Sequence, residues 1–181
     1  MASVLIVFAS EHHSTQQIAA RIGIRLTEHG HHVEAHELPL SEPTWPSCDA
    51  CVMGSAVHDG AWLPAADAFV HEYAEPLGTR AVWMFSVGMT AALPGPLRLL
   101  ASRSEQPRIA RLVDLVRPRE HRRFSGVIRR GHLGRKGAVL FRLLGCRYGD
   151  YRDWADVDAW AAGISRELEG RTDRTEQSGL A

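Results

Sequence analysis

Three cysteines in 181 residues are too few for a disulfide framework, so a reducing compartment, the cytoplasm, is the expected setting. No apolar run approaches the roughly 20 residues that a membrane span needs. The opening run Met-Ala-Ser-Val-Leu-Ile-Val-Phe-Ala has no basic lead and reads as a buried strand rather than a signal peptide. No Gly-x-Gly-x-x-Gly or Walker loop is present, which argues against a dinucleotide or nucleoside triphosphate, and no serine elbow appears. Lysine is nearly missing: Lys136 is the only one among 21 basic residues, a bias that carries no functional inference.

What is present is an ordinary globular composition, 45% hydrophobic and 23% charged, which suits one domain with its own core. Net charge is zero, yet residues 1–75 hold ten acids and two arginines, whereas 119–152 hold ten basic residues and two acids. That basic stretch reads first as a solvated surface and second as an attraction for an acidic partner. Nucleic acid is not an expected partner.

Periodicity predicts strands at 4–9, 32–38, 50–56, 80–87 and 124–128. It predicts helices at 14–28, 64–74, 104–116 and 153–168. Gly30 stands where the first helix should close, and Pro64 and Pro107 belong in first turns. The last helix carries Trp154, Val157, Trp160, Ala161 and Ile164 on one stripe. Strands alternating with helices imply an α/β fold, a doubly wound parallel sheet with helices on both faces. One domain is expected over 1–169, with a basic-apolar insert at 131–152 and a disordered tail at 170–181. Such sheets bind ligands beyond their strand C-termini, which directs attention to 10–15, 55–63 and 86–96.

The first of these loops reads Ser10-Glu11-His12-His13-Ser14-Thr15. Hydroxyls and free N–H groups at a helix N-terminus make an anion site that needs neither lysine nor metal. Helix capping explains Ser14 alone and leaves the hydroxyls at 10 and 15 unexplained.

At this loop the chain resembles the flavodoxin family, whose first loop runs Thr/Ser-x-Thr-Gly-x-Thr around the FMN phosphate. Ser10 and Thr15 match; His12 stands where a hydroxyl is usual and His13 where glycine is usual. The resemblance extends to Cys51-Val52-Met53-Gly54-Ser55-Ala56-Val57-His58-Asp59-Gly60, to Met84-Phe85-Ser86-Val87-Gly88, and to Gly149-Asp150-Tyr151-Arg152-Asp153-Trp154. These segments look like the branch that contains the menaquinone-dependent protoporphyrinogen oxidases. The resemblance implies a five-stranded sheet of order 2-1-3-4-5 and FMN as cofactor. Ser10, His12, His13, Ser14 and Thr15 would hold the phosphate. Ser55, Ala56, Val57, His58 and Gly60 would line one ring edge, with Trp62 either stacking on the ring or packing under the next helix. Ser86, Val87 and Gly88 would offer N–H groups at the pyrimidine end, where donors lower the cost of developing charge.

The implied function is an FMN-dependent oxidoreductase or electron carrier, with its catalytic residues unassigned. The alternatives are a flavin-free binding module that kept the fold and an NAD(P)H-quinone reductase. Val139, Leu140, Leu143 and Leu144 sit at helical spacing among Arg135, Lys136, Arg142 and Arg147. They suit either packing on the domain or docking of an acidic small molecule or a quinone-bearing membrane surface through 135–147. Two other patterns are discounted. In Cys48-x-x-Cys51 the thiols should diverge on a strand. His29, His31, His32 and His36 lack ligand spacing and read as surface histidines, so no metal is expected.

Overall fold

The computed structural model describes residues 1–41, 47–95, 98–99, 106–132, 139 and 141–178, with side chains through Gly170. Its strands are β1 (Ser3–Ala9), β2 (His32–Glu37), β3 (Ala50–His58), β4 (Ala61–Trp62), β5 (Ala81–Gly88), β6 (Glu120–Ser125), β7 (Val127–Ile128) and β8 (Gly149–Asp150). Its helices are α1 (Ser14–Glu28), α2 (Pro64–Glu72), α3 (Ala74–Gly78), α4 (Pro107–Val116) and α5 (Trp154–Ser178). Five strands pair in parallel in the order β2-β1-β3-β5-β6, and β4 is added antiparallel to β3. With that extra strand set aside, the order is the expected one.

Strand alternation divides the apolar residues between two layers. Val4, Ile6 and Phe8 of β1 pack with α1 and α5; Leu5, Val7 and Ala9 pack with α2 to α4. Each large side chain buried this way contributes about 1.5–3 kcal/mol before entropy is counted. Gly54 of β3 is paired with Phe85 of β5: a Cβ there would stand 2.1 Å from the Phe85 ring, so only glycine leaves room for that ring over β3. α1 and α5 are tied by Asp158, which accepts from Arg21 Nε at 2.7 Å and Arg25 Nη2 at 2.6 Å. Those two hydrogen bonds, Arg21 first, hold the Asp158 carboxyl well below the usual carboxylate range.

Several expectations are corrected. The segment 55–63 is a hairpin rather than an open loop, closed by Asp59 (φ 47°) and Gly60 (φ 73°) in the left-handed region that a two-residue turn requires. The edge strand β6 begins at Glu120, four residues before the expected start, because its polar side chains are matched individually: Glu120 Oε2 accepts from Trp160 Nε1 and Arg122 pairs with Asp156. Trp154 is half-exposed rather than buried on the helix stripe, and its ring carries the Arg152 guanidinium at 4.8 Å. The last helix runs to Ser178, past its apolar stripe, which ends at Leu168. Residues 179–181 of the expected tail lie outside the described residues.

His31 is buried, not a surface histidine. Its Nδ1 accepts from Ala2 N at 3.3 Å and its Nε2 meets Ser165 Oγ at 2.8 Å. Cys48 precedes β3, so strand alternation does not separate it from Cys51, and both thiols enter the same core layer. Both are free, and burial pushes both upward in pKa, which makes them poor nucleophiles.

Candidate functional site

The C-terminal ends of β1, β3, β5 and β6 open into a cavity of about 710 Å³, within the usual span of small-molecule sites. Ten of the fourteen expected residues line it: His12, Ser14, Thr15, Ala56, Val57, His58, Gly60, Ser86, Val87 and Gly88. Ser10, His13, Ser55 and Trp62 are not among the lining residues.

Only residues 10–13 separate β1 from α1, and Ser14 and Thr15 of the helix's first turn line this cavity. Its N-cap is His13 at φ 63°, and no side chain caps it. The positive φ explains why glycine suits this position: it is the backbone, not room for a ligand, that asks for it. The His13 ring turns to Gln16, Nδ1 to Oε1 at 2.9 Å. Ser14 Oγ accepts from Val127 N at 3.0 Å, which ties the segment after β6 to the helix start. Ser10 Oγ and Thr15 Oγ1 are buried with no hydrogen-bond partner among the described residues, and Thr15 is only 1% exposed. The first turn holds no acidic residue.

At the other side the hairpin places Ala56, Val57 and His58 along the rim. His58 Nδ1 lies 3.0 Å from Glu11 Oε2, bridging the first loop to the hairpin. Ser55 is turned inward, accepting from Leu63 N at 3.0 Å. Trp62 is 4% exposed within the core; its Nε1–H donates to Ser86 Oγ at 2.7 Å, which is packing geometry rather than a stacking platform. Ser86 Oγ in turn lies 2.8 Å from His121 Nε2. Ser86 Oγ thus joins Trp62 and His121 in one buried chain of hydrogen bonds. Burial, then the nearby Arg123 charge, pull His121 down to about 4, so it is neutral at physiological pH.

Sequence reasoning missed this α4–β6 side of the cavity. His121, Arg123, Gln106, Ile109 and Val113 line it, as do Glu11, Asp59, Met89 and Thr90 nearer the loops. The four nearer the loops fall within 10–15, 55–63 and 86–96, the segments that the strand ends single out, whereas no local pattern signals the five on the α4–β6 side. In the basic insert, Phe141, Leu144 and Cys146 close the cavity wall. Of the two readings of this segment, packing on the domain does not hold for Val139 and Leu143, which are 60% and 79% exposed; Phe141 is the buried anchor. Arg135, Lys136 and Leu140 lie outside the described residues. The 149–154 signature is a clamp: β8 pairs with β7, and Arg152 binds Asp150 and reaches Gln17 on α1. Among the described residues no His/Cys/Asp/Glu group could hold a metal, and no helix is long and apolar enough to cross a membrane.

Comparison with solved structures finds the same fold at low identity. Rubredoxin oxygen:oxidoreductase from Desulfovibrio gigas aligns with a TM-score of 0.62 at 13% identity, covering 94% of this chain but only 37% of that one. A flavodoxin from the domain Archaea aligns at 0.61 and 11%, covering 92% and 99%. The Fusobacterium nucleatum flavodoxin bound to flavin mononucleotide aligns at 0.57 and 13%, covering 92% and 99%. No curated protein sequence matches the chain. The family model described as a flavodoxin domain matches residues 5–142, more than half of the sequence. The chain belongs to the flavodoxin-domain family.

Proposed function

We propose that the chain binds one FMN, with the phosphate at the N-terminus of α1, and serves in electron transfer. The observation that carries this reading is the pair of buried, unpartnered hydroxyl oxygens of Ser10 and Thr15. A buried polar group left unpaired costs about 1–3 kcal/mol, so two of them at one helix start mark a place that a ligand completes. The ligand chemistry follows from the donors. Two hydroxyls, the first-turn N–H groups and the unspent Ser14 proton all donate, and no carboxylate stands in that turn. A phosphate fits that set. His13 does not argue for a flavin-free module, because it takes the left-handed backbone that glycine would take.

When bound, FMN supplies one- and two-electron chemistry. The chain's own residues bind and orient it: Ala56, Val57, His58 and Gly60 at one edge of the cavity, Val87 and Gly88 at another. The Glu11–His58 bridge braces the rim between the phosphate loop and the hairpin. Within the family we place the chain in the branch of the menaquinone-dependent protoporphyrinogen oxidases, supported by the resemblance at 51–60, 84–88 and 149–154. That reading includes one domain over 1–169, a cytoplasmic setting, and an acidic small molecule or quinone as electron partner. The test is the absorbance spectrum of the purified protein with release and identification of its chromophore. A yellow protein that yields FMN is the expected result; a colourless protein that takes up no added FMN overturns it.

A further inference from the structure

The segment that closes one wall of the cavity carries an apolar surface on its outer side. Residues 139 and 141–143 are helical. In a helix, side chains four residues apart share a face, and one two residues on points away from them. Phe141 takes the inner side: it is buried with Ala92 and Ile128, and its ring meets Tyr148 at 4.9 Å. Val139 and Leu143 therefore share the outer side, where both stand free of the core. Leu144 lines the cavity and is also 39% exposed, so the apolar surface continues to the cavity mouth. Four of the ten large apolar side chains exposed among the described residues fall within 139–148. Single exposed apolar residues need no explanation, but a cluster of them marks a contact surface.

The electrostatic setting of this surface is one-sided. From His121 to Gly149 the sequence has eight Lys and Arg and no Asp or Glu. Arg130, Arg142 and Arg147 are exposed, and the Arg130 guanidinium lies 5.9 Å over the Tyr148 ring, which ties it to the same cluster. Aliphatic tips set among guanidinium groups match acyl chains beneath a layer of phosphates. Leu and Val are under-represented among the anchors of protein interfaces, which favours a bilayer over an acidic protein as the occupant. We propose that this surface docks the protein on an anionic lipid bilayer, with Val139 and Leu143 at the headgroup–acyl boundary and Arg142 and Arg147 on lipid phosphates. The cavity mouth then opens at the membrane surface. The docking rests on the outer side of the segment and not on what the cavity holds, so it stands apart from the flavin reading.

The test is co-sedimentation of the full chain with vesicles of phosphatidylcholine alone and of phosphatidylcholine with about one third phosphatidylglycerol. The anionic vesicles should bind it at least about tenfold more tightly than the neutral ones, and that binding should weaken about tenfold or more between about 0.05 M and about 0.5 M salt. Val139→Ser with Leu143→Ser should weaken binding about tenfold, at about fourfold for each CH₂ withdrawn from the acyl boundary, and leave the melting temperature unchanged. Arg142→Gln with Arg147→Gln should weaken it about 25-fold, at about fivefold per arginine. Ile24→Ser, which changes an exposed residue on α1, should leave binding unchanged. No binding to anionic vesicles, or equal binding to both kinds, would overturn the proposal. A serine variant that binds like the wild type while the glutamine variant does not would overturn it as well, by making the surface a site for acidic proteins or polyanions in general. So would an Ile24→Ser variant that loses as much as the Val139 and Leu143 pair. Vesicle binding as described by a protein that takes up no FMN would overturn the flavin reading alone; an FMN-loaded protein that ignores vesicles would overturn the docking alone.

Discussion

The two sides of the cavity are built on different principles. The α1 side is made of backbone: a buried strand turns into a helix, and hydroxyls at 10, 14 and 15 surround free N–H groups. The α4 side is made of individual side chains on an edge strand, His121 and Arg123, reached through the chain Trp62–Ser86–His121. Backbone sites tolerate change in neighbouring side chains, as His13 shows by standing where glycine is usual. Side-chain sites depend on each member and on its protonation state.

The sharpest way to break this contrast is pH. His121 is held at about 4 by burial and Arg123, against an ordinary value near 6.5. Its folded-state value is depressed, so the neutral form is the one that fits. The associated stability is fully present above about pH 6.5 and is lost as pH falls towards about 4. The loss amounts to at most about 3 kcal/mol after allowance for partial exposure. His31, also lowered by burial, acts in the same direction. Urea unfolding at about pH 7 and about pH 4.5 should show this slope, and His121→Gln should reduce it to the part that His31 contributes. A wild-type protein equally stable at both values would remove the neutral histidine from the account.

The next effect belongs to the α1 side. Ser10→Ala with Thr15→Ala should weaken FMN by roughly a hundredfold, about tenfold for each lost bond. Stability of the ligand-free protein should hold or rise, because two buried unsatisfied groups disappear. Thermal melts with and without FMN separate the two outcomes; a destabilised ligand-free variant would mean that the hydroxyls have protein partners.

Two smaller effects sharpen the backbone side. Gly54→Ala puts a methyl 2.1 Å from the Phe85 ring and should cost about 1–3 kcal/mol, read as a lowered melting temperature. His13→Gly relieves a left-handed residue and should stabilise the protein by about 1 kcal/mol, raising Tm by roughly 2–4 °C. A neutral or destabilising His13→Gly would show that the Gln16 contact outweighs the backbone strain.

The same contrast explains what was legible in the sequence. Continuous apolar runs announced β1, β3 and β5, since strands buried on both faces leave no other pattern. The helix-start hydroxyls followed from those strands. β6 was hidden because Glu120-His121-Arg122-Arg123 satisfies its polar groups one at a time, through Trp160, Asp156 and Ser86, and no local pattern encodes such partners. His121 was missed with it. The β3–β4 hairpin was readable from Asp59-Gly60; for the following Trp62, stacking on the ring and packing under the next helix were both open, and packing is what the fold shows. Buried His31 was hidden for the same reason as His121, since its partners lie at Ala2 and Ser165.

The central claim is that the orphan hydroxyls of Ser10 and Thr15 await a phosphate. Its most direct test is calorimetry of the flavin-stripped protein with FMN and with riboflavin, which differ only by that phosphate. The account predicts one FMN per chain, bound roughly a hundredfold or more tightly than riboflavin, as two or more charge-assisted hydrogen bonds would give. Equal affinity for the two flavins would contradict it.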